Sequence, residues 1–305
     1  MAETAGVHAG LEAGGTKMVI GVAAPDGTLL GRDSLPTTTP DETLQRVRAS
    51  LRRLAGGRAV RSLGIATFGP AQTNRARPHF GFITNTPKPG WSRTDLLGAF
   101  SDLAPALGFD TDVNGAALAE AGAWGGADPL AYVTVGTGLG VGVARGGTVL
   151  SGTSHYEMGH VPLPRAPGDE GVSVCPFHED CAEGLTAGPS WQARLGHSLS
   201  EAAPDAPARA QAATYLGQLC RVITLCHAPG RIVLGGGVMK TPGLLEAVRE
   251  EAGRRLNGYG PPMPEVTAPA LGEDAGLRGA IELGRISQRP PAPARGGPPT
   301  DHRFS

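Results

Sequence analysis

Aromatic residues are scarce in this 305-residue chain, at 5% of the total. Lysine is scarcer still: only Lys17, Lys88 and Lys240 occur, so nearly all of the 27 Lys+Arg are arginine and each lysine merits inspection. Four cysteines are too few for a disulfide framework at this length. Neither charge sign dominates, since 27 basic residues face 28 acidic ones for a net charge of -1. That balance excludes a chain whose main business is gripping nucleic-acid backbone. No apolar run reaches the roughly 18–20 residues needed to span a bilayer. The opening MAETAGVHAG lacks the charged and apolar regions of a secretory signal. A soluble cytoplasmic protein, with no membrane or nucleic-acid partner, is therefore expected. Glycine (47) and proline (27) are abundant, which implies frequent turns and close backbone contacts. The length suggests about two domains at roughly 100–200 residues each.

Val7 to Leu35 reads as three short strands, the last two joined by Pro25-Asp26-Gly27, a strong hairpin signal. Pro40 to Leu54 has helical spacing at Leu44, Val47, Leu51 and Leu54, with Asp41 as a plausible cap. A strand at Ser62–Thr67, a helix over 94–107, a strand at Phe109–Val113 and an Ala-rich helix from Asn114 to Trp124 follow. The opening pattern then returns from residue 131: AYVTVG, a Gly turn, LGVGVAR, Gly146-Gly147 and TVLSG. Strand–Gly turn–strand–Gly turn–strand thus occurs twice, as a duplicated α/β fold would leave it. Residues 152–184 read as irregular; helices are expected over 186–196, 206–227, 242–256 and 274–286, with a strand at Arg231–Leu234. The Pro/Gly/Arg-rich segment 288–305 is expected to be a disordered tail.

Three Gly-rich turns follow expected strands: Gly14-Gly15-Thr16-Lys17, Gly136-Thr137-Gly138-Leu139-Gly140 and Gly235-Gly236-Gly237. Such turns are ordinary hairpin connections, but they also let backbone N–H groups approach a phosphate with no Cβ in the way. None matches a P-loop or a Rossmann fingerprint, both of which open a helix. Asp112 precedes the Ala-rich helix, which suits a plain N-cap or a carboxylate that accepts a proton from an attacking alcohol. His160, Cys175, His178 and Cys181 form H-x14-C-x2-H-x2-C, the donor set of a closed tetrahedral zinc site, or else two unrelated cysteines among surface histidines. His155 is a competing ligand. Glu157 and Glu183 bracket the cluster and read either as solvated acids or as binders of a polyol's hydroxyls. Cys220 and Cys226, six apart, default to core packing, as do Trp124 and Trp191.

These residues together resemble the ROK sugar kinases. The carriers are LEAGGTK, FGP, ITNTPKPGW, DTDVNGAALAE, VTVGTGLGVG, HYEMGH, CPFHEDCAEG and VLGGGV, covering residues 10 to about 285 in the family's order. EAGGTK, TPKPGW and CPFHxxC make the chain most similar to the zinc-containing bacterial fructokinases. The resemblance implies an α/β actin-like ATPase (ribonuclease H-like) fold, two related lobes around a nucleotide and sugar cleft. The first lobe would be residues 1–113, completed by the helix at 274–287. The second would be 114–273, with the zinc loop at 155–184.

By the same resemblance, Asp112 is the general base and also touches the sugar with Glu157, His160 and Glu183. Gly14, Gly15, Thr16, Lys17, Thr137 and Gly138 hold ATP phosphates. Gly236 and Gly237 form the adenosine turn, and Pro189 lies near the adenine. His160, Cys175, His178 and Cys181 hold structural Zn²⁺, while Glu12 holds Mg²⁺ through water. The implied reaction is ATP-dependent phosphorylation of a hexose, foremost D-fructose to fructose 6-phosphate (EC 2.7.1.4), by a protein resembling a family of homodimers. Alternatives are a kinase for mannose, glucose or allose, or a non-catalytic sugar-sensing protein on the same scaffold. Three departures bear on this: Glu12 stands where most members have Asp, Thr111 where many glucokinases have Asn, and CPFHEDC replaces a Cys-richer loop. All three weaken a transfer of glucokinase specificity. The family's repressors carry an N-terminal DNA-binding helical domain; a first strand beginning near residue 7 leaves that branch without support.

Overall fold

A computed structural model describes residues 6–289. Hairpin chemistry builds its first sheet. Strands β1 (Val7–Ala13), β2 (Lys17–Ala23) and β3 (Leu29–Pro36) pair antiparallel in succession. At the β2–β3 turn the Asp26 carboxylate accepts the Thr28 N–H at 2.9 Å, and Gly27 takes φ +91°, a conformation that favours glycine. Helix α1 (Pro40–Ala55) crosses over to β4 (Val60–Thr67), parallel to β1, and β5 (Leu107–Thr111) lies parallel to β4. The sheet order is β3-β2-β1-β4-β5.

The second half repeats this plan. After α2 (Asp112–Ala123) come β6 (Leu130–Val135), β7 (Leu139–Arg145) and the two-residue β8 (Thr148–Val149). Helices α3 (Ala182–Thr186), α4 (Gly188–Leu195) and α5 (Pro207–His227) lead to β9 (Arg231–Gly235). Then α6 (Leu244–Leu256), β10 (Glu265–Thr267) and α7 (Ala275–Ile286) complete it. The order is β10-β9-β6-β7-β8, so in both sheets the first strand sits between the second and fourth. The expected duplication is present, with β1 and β6 starting about 120 residues apart.

The helix after each sheet's last strand covers the other sheet. Helix α2 follows β5 yet packs on β6 and β7, and α7 follows β10 yet packs on β1, β4 and β5. The two helices cross in close contact: a Cβ on Gly279 would lie 2.2 Å from the Gly115 carbonyl. Likewise a Cβ on Gly142 of β7 would meet the Val113 carbonyl oxygen at 2.3 Å. The glycine excess is thus partly a packing requirement at the seam between the sheets. Away from the seam, α1 and the loop that follows β4 bury Val47, Leu51, Ile83, Trp91, Leu96 and Phe100 on the first sheet. On the second, Leu216, Leu219, Ile223 and Val248 of α5 and α6 fill that role.

Several expectations need correction. No α-helix forms over 94–107; only Gly98–Phe100 makes a short 3-10 turn. The Asp95 carboxylate accepts the Gly98 N–H at 2.7 Å, an alternative to helical pairing, and Pro105 biases Ala104 away from the α region. Thr39, not Asp41, occupies the cap position of α1, with Pro40 in its first turn. The expected helix over 186–196 forms as α4, and the short α3 before it begins inside the stretch read as irregular. Strand β10 had no counterpart in the sequence reading. Cys220 is buried as expected and its thiol is pushed up to about 12 by burial, but Cys226 is exposed. Trp124 is 43% exposed, with the Arg231 guanidinium 3.5 Å from its ring centroid, rather than a core anchor. Of the expected disordered segment, Gln288 and Arg289 continue the chain from α7 with N–H bonds to Arg285 and Ile286; the rest lies outside the described residues. Among the described residues no helix is long and apolar enough to cross a membrane.

The helix crossing yields a direct test. Gly279→Val should force α2 and α7 apart and destabilise the protein by about 3 kcal/mol or more, read by denaturant unfolding.

Candidate active site between the two sheets

The carboxyl ends of β1, β6 and β9 open onto a common cleft, with a cavity of about 420 Å³. Glu12, Asp112, Tyr132, Thr134, Gly236 and Gly237 line it. So do Met239, Lys240, Pro269, Glu273 and Gly276. Four of these residues, Glu12, Asp112, Gly236 and Gly237, are among those the sequence singles out. Gly236 holds φ +94°, and a Cβ there would lie 2.4 Å from the Val135 carbonyl oxygen, so only glycine lets β9 turn this close to β6. Gly276 is needed for a similar reason, because a Cβ would sit 2.4 Å from the Glu12 carboxyl. Lys240 and Glu273 form a 2.7 Å ion pair on the cleft lining. Lys240 was legible only as one of three lysines, and Glu273 carried no signal.

Asp112 is the first residue of α2, and its carboxylate accepts the Val113 N–H at 2.8 Å. Thr111 is the cap, accepting the Asn114 N–H at 3.3 Å, so Asp112 is free of that duty. Burial raises the Asp112 pKa to about 6, the Glu157 charge adds to the rise, and the backbone N–H and His155 oppose it. Burial likewise raises Glu12 to about 7, reinforced by the neighbouring Asp112 charge and opposed by Lys17 and Arg32. Two partly buried carboxylates whose charges repel one another suit a bound divalent cation.

Around Asp112 lies a second polar group, which the sequence reading identified only in part. His155 Nε2 meets Glu157 Oε1 at 2.8 Å. The Gly69 backbone of the FGP loop faces both, at 3.8 Å and 3.9 Å from a Cβ position. Burial alone would lower the His155 pKa; its bond to Glu157 and the nearby Asp110 outweigh this and raise it. That bond and the charge of His155 hold Glu157 below the usual carboxylate range. Asp110, unnoticed in the sequence, accepts from Asn114 Nδ2 at 2.6 Å, and burial raises its pKa.

The Cys/His cluster assembles as the spacing implied. One donor atom from each of His160, Cys175, His178 and Cys181 lies within 4.8 Å of the others. His160 Nδ1 is 3.7 Å from both thiols, and Cys175 Sγ is 3.5 Å from His178 Nδ1. Tetrahedral zinc with ordinary bond lengths would set sulfur and nitrogen about 3.5 Å apart, so the donor set fits that ion. Burial pushes the Cys181 thiol up to about 11, so a bound cation is what would hold it as thiolate near neutral pH. His155 is absent from the cluster because Glu157 engages its ring.

Glu183 sits differently from a free sugar ligand. Its Oε2 accepts the Leu139 N–H at 2.9 Å and lies 2.7 Å from a Cβ position on Gly138. One carboxylate oxygen therefore braces the 136–138 turn. The neighbouring Gly188 N–H donates to the Gly136 carbonyl at 2.7 Å, placing Pro189 beside the same turn. The first turn is pinned from β3's end, where Thr37 Oγ1 donates to the Gly14 carbonyl at 2.8 Å. Gly14, Gly15, Thr16, Lys17, Thr137, Gly138 and Pro189 are outside the lining of the cavity itself.

The ROK family model matches residues 8–286. A fructokinase of Pediococcus pentosaceus is 39% identical over 283 residues, covering 91% of this chain and 97% of that protein. A fructokinase of Zymomonas mobilis subsp. mobilis is 39% identical, covering 91% and 96%. Among solved structures, a ROK hexokinase from Thermus thermophilus superposes with TM-score 0.75 at 30% identity, covering 92% of this chain and 99% of that one. A ROK family glucokinase from Streptomyces griseus, in complex with glucose and AMPPNP, gives 0.74 at 25% identity over 92% and 99%.

The Glu183 brace is testable alone. Glu183→Ala should strip the Leu139 N–H of its acceptor and speed its hydrogen exchange by about tenfold or more, the worth of one bond to a charged group.

Proposed function

The chain belongs to the ROK family, and from that premise we propose that it phosphorylates a hexose with ATP, D-fructose foremost, to give fructose 6-phosphate. The names of its relatives support fructose: several of those 36–39% identical over most of the chain are fructokinases. The observation that carries the chemistry is Asp112, a carboxylate raised to about 6 at the meeting of a glycine-lined cleft and a polar group rich in hydroxyl-binding side chains.

In this reading the sugar binds against Glu157, His160, Glu183 and Asp112. Asp112 accepts the proton of the 6-hydroxyl as that oxygen attacks the γ-phosphate in line. A pKa near 6 leaves it ionised at neutral pH yet basic enough to take a proton. ATP lies with its adenosine at Gly236–Gly237 and Pro189. Its phosphates lie at the 14–17 turn and at Thr137–Gly138, whose backbone N–H groups face developing negative charge. Glu12 would hold Mg²⁺ through water, and the ion would supply charge neutralisation on the phosphates. Residues 1–113 with 274–287 form one lobe and 114–273 the other, and their closure excludes water, the competing acceptor. Zn²⁺ at His160, Cys175, His178 and Cys181 is structural, since four protein ligands leave no open position.

Asp112→Asn should lower kcat by about 10²–10⁴-fold while fructose binding survives; retained turnover removes Asp112 from its role. For the wild type, kcat/KM should fall tenfold per pH unit below about 6, because there the carboxylate is protonated and cannot act as base. Asp112→Asn removes that limb. The same raised pKa means the charged form costs stability above pH 6, so the Asn variant should melt higher than wild type at pH 8. Elemental analysis should find about one zinc per chain, lost in Cys175→Ser along with thermal stability; active protein without zinc refutes the metal assignment.

A further inference from the structure

Glu120 is fully buried, two turns along α2 from Asp112, at a distance of about 12 Å. Buried carboxyl oxygens require donors, and these have three. Oε1 accepts the Leu271 N–H at 2.9 Å, and Oε2 accepts the Ala270 N–H at 3.0 Å and the Trp124 indole N–H at 3.2 Å. Ala270 and Leu271 belong to the segment after β10 whose neighbours Pro269, Gly272 and Glu273 line the cleft. One side chain thus ties the 268–273 wall of the cleft to the helix that begins at Asp112. Elsewhere the segment between β10 and α7 is held by Leu271, partly buried against the core at the seam, by a 3.2 Å Asp274–Arg32 pair at its end, and by the exposed Lys240–Glu273 pair.

We propose that Glu120 is a positioning residue for the nucleotide, holding the 268–273 wall at the separation from Gly236–Gly237 that the adenosine half of ATP requires, with Trp124 as its outward reporter. This rests on the reading of that cleft as the nucleotide site. A glutamine cannot replace the carboxylate. Whichever way the amide is turned, its NH₂ faces a backbone N–H of Ala270 or Leu271, and that bond is lost. The wall is then less firmly held at Ala270 or Leu271 while Asp112, at the other end of α2, keeps its own contacts.

The test compares three variants with the wild type. In Glu120→Gln, KM for ATP should rise about tenfold or more, with kcat at saturating ATP and KM for fructose within about twofold of wild type. A merely structural loss would lower active protein or kcat without singling out ATP. In the wild type, saturating ATP should change tryptophan emission. Trp124→Phe should abolish that change and keep activity; Glu120→Gln should abolish it as well. Gly237→Val, whose new side chain would enter open space in the cleft, should weaken ATP binding. If Gly237→Val binds ATP as wild type does, the nucleotide is elsewhere and the underlying reading falls. If Gly237→Val is weakened but Glu120→Gln keeps the wild-type KM for ATP, the role of Glu120 alone falls. Should Glu120→Gln fail to fold, the wild-type emission decides: no ATP-dependent change assignable to Trp124 overturns the proposal.

Discussion

The cleft depends on the contact between α2 and α7, where Gly115 and Gly279 bring two backbones closer than any side chain allows. Each helix continues the chain of one sheet and covers the other, so this crossing fixes the angle at which the sheets face each other. It also fixes the chemistry. The first residue of α2 is Asp112, and the second residue of α7 is Gly276, against which the Glu12 carboxyl rests. Without the close crossing the two acids would not share a cavity, and neither would be pushed so far above the ordinary carboxylate range.

Raised carboxylate pKa values cost stability at neutral pH, and the neighbouring groups act on that cost in both directions. The Glu157 charge adds to the rise at Asp112, His155 opposes it while pairing with Glu157, and Asp110 is held by Asn114 and the Thr111 N–H. In the second half, the Cys/His cluster and the 136–138 turn are mechanically joined. Cys181 caps α3, accepting the Gly184 N–H at 3.3 Å, and Glu183, one residue into that helix, braces Leu139. Order imposed on the Cys/His loop therefore passes through a single helical turn to the proposed phosphate clamp.

Much of the scaffold was legible because its signals are local. The Asp26-Gly27 hairpin, the repeated strand–turn pattern and the H-x14-C-x2-H-x2-C spacing all act over a few residues, and each appears where expected. What was not legible is long-range. Glu183 meets Leu139 across 44 positions, and Glu120 meets Leu271 across 151, pairings that no spacing encodes. Segment 94–107 misled because Leu96, Leu97, Phe100 and Leu103 are core contacts of an irregular loop, and apolar spacing alone cannot distinguish that from a helix face. The three-residue β10 is too short to leave a period.

The central claim is phosphoryl transfer from ATP to fructose in this cleft. Its most direct test is ADP release from the zinc-loaded protein with Mg-ATP and, in turn, fructose, mannose, glucose and allose. Turnover should occur, with the highest kcat/KM on fructose. Absence of ADP release with any hexose would contradict it and leave a sugar-binding protein on a kinase scaffold.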